Sequence, residues 1–295
     1  AGPVASTNPV PYEAANVFVT ITNVLNYIKT ITPIDRWAAT SNLVAIPRAG
    51  RALNAYYNRT SLNYFFDVNP RNGTMIYLAD STDVVAHELG HAILDSFRPD
   101  LYNAPYLETW AFHEAFGDFI AFVNMLQHDE VINRMLSQSA GNLKNDNLAC
   151  KIAEEVGNII SIYDSTQSAL YLRDINNSFV WVNPTTIPSN GPRNVITAEP
   201  HSFSRIMSGA LYDIFVMIYN DLIAKQNIPL NAVKQALKIT TSYLIKSVKN
   251  VIIEPRFYKR IAHGMLWADF LVGNMYNDRI RQIFKNRNIV SDFGA

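Results

Sequence analysis

The chain holds one cysteine, Cys150, so no internal disulfide can staple it. The flank of Cys150, from Asn147 to Ala153, reads as a buried helix face, and a packed thiol is expected there, not a nucleophile. Uninterrupted apolar runs fall short of the roughly 20 residues that a bilayer-spanning helix needs. Neither sign of charge dominates: 25 Lys and Arg balance 25 Asp and Glu. That balance gives no footing for a nucleic-acid partner or an anionic membrane surface. A positively charged leader with an apolar core is missing as well, and the chain opens Ala-Gly-Pro. Any signal or pro-segment is therefore expected to have been removed or never present, and a secreted or extracytoplasmic setting is expected. Repeats and low-complexity tracts are also lacking. What is left is 295 residues, 48% hydrophobic and 17% charged, enough apolar material for one large or two medium cores.

Hydrophobic spacing divides the chain. Residues 1–11 are small and Pro-rich and are expected to be flexible. Ala15, Phe18, Val19, Ile21, Leu25, Tyr27 and Ile28 predict a helix over 12–30, ended before Pro33. From 38 to 79, short β-branched and aromatic stretches alternate with turn residues and predict a small, mainly antiparallel sheet. After residue 83 the pattern turns helical, with helices expected over 83–96, 108–128, 130–138, 147–169, 202–225, 229–248, 255–272 and 275–286. The exception is 171–201, punctuated by Pro184, Pro188, Gly191, Pro192 and Pro200. A connection that long is more often functional than idle. The expected fold class is α+β. A sheet-bearing lobe (12–108) would carry the helix at 83–96, and an all-helical lobe (109–295) would follow, with a site at the junction.

Chemistry concentrates in His87-Glu88-Leu89-Gly90-His91. On a helix, His87 and His91 are one turn apart on one face, so both imidazoles can converge on one metal ion. Glu88 lies about 100° round the helix from His87. It therefore stands beside the metal and can take a proton from the attacking water. Zinc used for hydrolysis needs three protein ligands and one open position. Glu114, 23 positions after His91, is the natural third ligand. Asp118, one helical turn further on, can accept the free N–H of a metal-bound histidine. Ser81-Thr82-Asp83 supplies a helix start before the motif. The bland alternative is two helices with charged outer faces.

These segments resemble the thermolysin-like gluzincin metallopeptidases. Asp83 to Ala92 resembles that family's active-site helix, and Glu114 to Asp118 its glutamate-ligand helix. A metzincin would need Gly at 94 and His at 97, where this chain has Leu94 and Phe97. The resemblance implies a zincin-type two-lobed fold and further roles. Tyr102, eleven residues after His91, would donate to the oxyanion, with Tyr106 as a rival. Pro200 to Asp213 resembles the helix that begins with the second catalytic histidine, which assigns His201. Arg173, in Leu172-Arg173-Asp174, would hold a substrate carbonyl; its plain reading is a surface ion pair with Asp174 or another acid. Asn54 and Ala55, in Asn54 to Tyr57, would bind the substrate main chain along a strand edge. The family's aspartate five residues before the catalytic histidine is here Ile196, leaving Glu199 or a distant residue to orient His201. Asp83 is present, but Met125 stands where a calcium ligand is usual, so no double calcium site is expected.

The implied function is a zinc endopeptidase acting on peptide or protein substrates, with one zinc per chain and Glu88 as general base. A bulky apolar residue after the cut bond is expected, with Val84, Val85, Phe112 and Phe116 as possible pocket walls. An aminopeptidase and a zinc-stabilised non-catalytic binding protein are the rivals. The first lacks a recognisable acidic strand for the substrate amine, and the second is disfavoured by the intact Glu88.

Overall fold

Val17, Val24 and Ile28 fall on one side of the first helix, α1 (Tyr12–Lys29), and that is the side it buries. The structure, a computed structural model, describes residues 11–70, 72–152 and 171–291. It is a mixed α+β architecture. Among the described residues, α1 is followed by α2 (Thr82–Phe97), α3 (Leu107–Met125), α4 (Asp129–Gln138), α5 (Pro200–Ala224), α6 (Pro229–Asn250), α7 (Phe257–Phe270) and α8 (Asn277–Asn286).

The strands are short. β1 (Val44–Ile46), β3 (Ser61–Tyr64) and β2 (Ala55–Tyr57) form one sheet in that order, and β4 (Phe66–Val68) pairs with β5 (Met75–Tyr77). Among the described residues, the named strands pair antiparallel except β1–β3, which is parallel. β2 is an edge strand.

Two expectations for the second half need correction. The helix expected over 147–169 is replaced, where it is described, by a 3-10 turn at Leu148–Cys150 and strand β6 (Lys151–Ile152); residues 153–170 lie outside the described residues. The reason is local and polar. Asn147 turns its amide back onto Leu143 and Asn145 carbonyls, a competition with helix that asparagine often wins. β6 then pairs with β7 (Arg173–Asp174), so this part of the chain is not all-helical. The expected buried thiol does hold: Cys150 is buried, in the turn that precedes β6.

The core is built on α2, α3 and α5. Between Glu108 and Asn124 only Trp110 and Glu114 escape burial, the pattern of a helix surrounded on all sides. Phe122 meets Tyr212 and Phe215 of α5 edge-on at 5.6 and 5.2 Å. Each such fully buried aromatic contributes about 1.5–3 kcal/mol over exposure. α5 is also long and apolar enough to cross a membrane by length and composition, although charged residues interrupt its apolar run. Its most apolar stretch is 72% buried against the rest of the protein, which accounts for its composition as a core helix. It begins at Pro200, two residues before the expected start. Proline is at home in a first helical turn, and the Glu199 carboxylate caps the turn by accepting from the His201 and Ser202 N–H groups.

Candidate metal centre

α2 carries His87, Glu88 and His91, and α3 carries Glu114 and Asp118. The two helices can bring these groups together because glycine faces glycine where they cross. A methyl on Gly90 would lie 2.8 Å from the Gly117 Cα, and one on Gly117 would lie 2.8 Å from two atoms of the His87 ring. Neither contact is tolerable for a real side chain. Absence of both Cβ atoms lets α3 approach until its carboxylates reach the α2 imidazoles.

His87, Glu88 and His91 present donor atoms that all lie within 4.8 Å of one another, a cluster that could hold a metal ion. Glu114 closes it more tightly. Its carboxylate oxygens lie 3.3 Å from His87 Nε2 and 3.6 Å from His91 Nε2. Donors placed tetrahedrally around an ion at 2.0–2.1 Å are about 3.3–3.4 Å apart, so this spacing fits a shared ion. Glu114 Oε2 is buried and has no well-formed hydrogen bond, although His87 Nε2 and His201 Nε2 lie 3.3 and 3.4 Å away. An unsatisfied buried carboxylate oxygen is costly, and a cation between the rings would satisfy it.

Each imidazole is prepared differently. Asp118 Oδ1 lies 3.0 Å from His87 Nδ1, which fixes the proton there and leaves Nε2 for the metal. Burial works against protonating His87, but the carboxylates of Asp118 and Glu114 outweigh it and lift its pKa to about 10. Burial depresses His91 to about 3, so it stays neutral. Burial pushes Glu88 up to about 7, in the range where a carboxylate exchanges protons near neutrality.

Arg173 stands behind His87. Its guanidinium donates to Asp118 through Nε at 2.9 and 2.7 Å and Nη2 at 2.7 Å, and Nη2 lies 3.4 Å from His87 Nδ1. The Arg173 ion pair is thus with the fully buried Asp118, and not on the surface with Asp174, which pairs with Lys151. β6–β7 pairing delivers Arg173 to this position.

His201 faces the cluster from the start of α5. Its Nδ1 meets Glu199 at 2.5 Å, so Glu199 is the acid that orients it; Ile196 is buried. The Glu199 hydrogen bond raises His201 above its ordinary pKa. Burial would raise Glu199, but hydrogen bonds from His201 and two backbone N–H groups bring it down to about 2.

His87, Glu88, His91, Glu114 and His201 line a cleft of about 430 Å³ whose walls include Asn54, Ala55, Tyr102, Trp110 and His113. It adjoins a recess of about 340 Å³ that shares Asn54, Ala55, His87, Glu88 and His201 with it and adds Leu78, Val84, Leu172 and Arg173. Tyr102, and not Tyr106, is on the wall. Its ring sits between Arg59, 4.9 Å above it, and the edges of Tyr57 and His113. Arg59 is itself held by Asp95, which also accepts from Tyr57 at 2.9 Å. This network ties edge strand β2 to α2, two turns beyond His87.

β2 runs along the cleft with one side free. Phe65 N–H donates to the Asn54 carbonyl, so by alternation the N–H and C=O of Ala55 turn toward the open edge. Of the expected apolar walls, Val84 lines the recess, whereas Val85, Phe112 and Phe116 do not and are buried in the core. Phe112 and Phe116 are each two residues from Glu114, about 200° round the helix and so on its far side.

The sequence reading missed Trp110 and His113. Trp110 is one turn before Glu114 and shares its face, a spacing that could have exposed it. His113 is buried 5.7 Å from the His91 ring, and burial lowers it to about 4. No protein-family model and no curated protein sequence matches the chain.

Proposed function

We propose that the protein is a zinc-dependent endopeptidase of the thermolysin-like gluzincin kind, with the two-lobed zincin architecture. The observation that carries this reading is the convergence of His87, His91 and Glu114 beside a buried Glu88, in a cleft flanked by a free strand edge. Two imidazoles and one carboxylate are the donor set of hydrolytic zinc. Zinc there would supply a Lewis acid that makes water more acidic and polarises a carbonyl.

The remaining work belongs to the side chains. An extended peptide adds to β2, pairing with the outward N–H and C=O of Ala55 and with the Asn54 amide. Glu88 takes the proton of the attacking water and returns it to the leaving amine. Tyr102 and His201 donate to the developing oxyanion, with Glu199 holding His201 in place. Arg173 steadies Asp118 and, at the recess, reaches a substrate carbonyl. Leu78, Val84 and Leu172 favour a bulky apolar side chain after the cut bond. An aminopeptidase would need an acid free to hold the substrate amine. Glu88 and Glu114 are the cleft-lining acids among the described residues, and both have other roles in this reading.

The test joins elemental analysis with cleavage of peptides blocked at both ends. The expected result is about one equivalent of zinc, lost in His91→Ala, and internal cleavage of the blocked peptides. Zinc bound without cleavage would favour a zinc-stabilised binding protein. Cleavage that needs a free N-terminus would favour the aminopeptidase.

A further inference from the structure

Beyond His201 the cleft leads to a third recess, of about 270 Å³, walled by Leu172, Arg173, Arg193, Glu199, His201 and Arg205, among others. Three guanidiniums gather there. Arg173 is neutralised by Asp118. Arg193 and Arg205 are not: every acceptor they meet among the described residues is uncharged. Arg193 uses only Nη2, on the Tyr171 and Leu172 carbonyls. Among the described residues its Nε and Nη1 donors meet no acceptor. Arg205 donates to the Arg193 carbonyl, to the Val195 carbonyl at 2.6 Å and to Ser202 Oγ at 2.7 Å. It also stacks on Phe179. Glu199, the one acid on this wall among the described residues, is committed to His201 and Ser202.

Carbonyl bonds thus fix two half-buried cations against each other, and among the described residues neither is ion-paired; Glu199 offsets Arg205 only at a distance. Burial first, and then the neighbouring arginines, pull Arg205 down to about 10 and lower Arg193 as well. An anion entering the recess would relieve that repulsion, and Arg193 still has single N–H donors to offer it, because Nη2, which both two-donor edges share, is taken by the carbonyls.

We infer that this recess is a carboxylate subsite, which reads an acidic group on the substrate two or three residues after the cut bond. The inference rests on the endopeptidase reading. It takes the Val84–Leu172 recess as the seat of the first residue after the cut, and Leu172, Arg173 and His201 also border the arginine recess. An extended chain advances about 3.3 Å per residue, so the next residues reach it. The carboxylate can come from a Glu or Asp side chain or from a peptide's own C-terminus.

Internally quenched peptides, blocked at both ends and carrying Glu or Gln at the second or third position after the cut, test this. A matched pair ends there in a free carboxylate or an amide. With the zinc-loaded protein, kcat/KM should favour the charged member of at least one pair by about tenfold, the scale of one charge-assisted hydrogen bond. The ratio should shrink with added salt. Arg193→Gln should bring it near one, and Arg193→Lys should restore part of it. Because the readout is a ratio within one protein, partial loss of fold cancels. Preference in the Glu–Gln pair assigns the side chain, and preference in the acid–amide pair assigns the C-terminus. Equal rates in both pairs, or a preference that survives Arg193→Gln, overturns the subsite and leaves the peptidase reading standing. If the uncharged peptides are not cleaved at all, the peptidase reading fails and takes the subsite with it.

Discussion

At the scale of residues, the candidate metal cluster is defined by how differently its neighbours treat like groups. His91 is kept neutral by burial first and by the neighbouring histidines, while His87, one turn away, is made basic by two facing carboxylates. Metal-free protein at neutral pH should therefore hold a proton on His87 and part of one on Glu88, whose pKa stands at about 7. A cation must displace the first and discourages the second. Calorimetric zinc titration at pH 7, in buffers of different ionisation enthalpy, should give release of one to two protons per ion. The sign follows: His87 is raised, so below about 10 protons compete with the metal, and affinity for zinc should strengthen as pH rises toward that value. Proton uptake, or affinity that weakens over this range, would contradict the assigned partners of His87. Glu88 carries a separate expectation. Glu88→Gln should keep the metal and lower turnover by 10²–10⁴, the usual worth of a general base. Turnover above about a tenth of the parent's would rule out that role.

At the scale of elements, the site depends on how closely α2 and α3 cross. Gly117→Ala puts a methyl 2.8 Å from the His87 ring, so the ring must turn or the helices must part. Zinc affinity should fall at least tenfold, since loss of an orienting contact to a ligand histidine commonly costs 10–100-fold. Unchanged affinity, measured by competition with a chromophoric chelator, would mean that the close packing is not what positions His87. The crossing could not be read from the sequence, because Gly90 and Gly117 are neighbours only through the fold. His87, Glu88, His91, Glu114 and Asp118 were legible, because a 3.6-residue period sets which of them share a face. The partner of Arg173 was not: Asp118 lies 55 positions away in the chain, and two-residue strands such as β6 and β7 have no periodicity to detect. The Glu199–His201 pair was left open between a neighbour and a distant residue, and the capped turn at Pro200 favours the neighbour.

At the scale of the whole molecule, the candidate metal cluster joins the two halves of the chain. α2 and α3 supply the donors, β7 supplies the cation behind them, and α5 supplies the facing histidine. Ligand binding to the folded state alone stabilises it by about 2.7 kcal/mol when the free ligand is a hundred times Kd. Zinc should therefore protect regions that never touch it. Cys150 is a built-in reporter. It is 1% exposed, and burial pushes its thiol up to about 12, so it should resist a thiol reagent until the surrounding structure opens. It also precedes β6, whose partner strand carries Arg173. In the zinc-loaded protein, labelling of Cys150 by a chromogenic disulfide at pH 8 should be far slower than in urea. Adding a chelator should accelerate it by about a hundredfold, the factor corresponding to 2.7 kcal/mol, if opening is fast relative to labelling. Rapid labelling of the zinc-loaded protein would contradict the buried position of Cys150. Slow labelling that ignores the chelator would show that the metal cluster and the β6–β7 region do not open together.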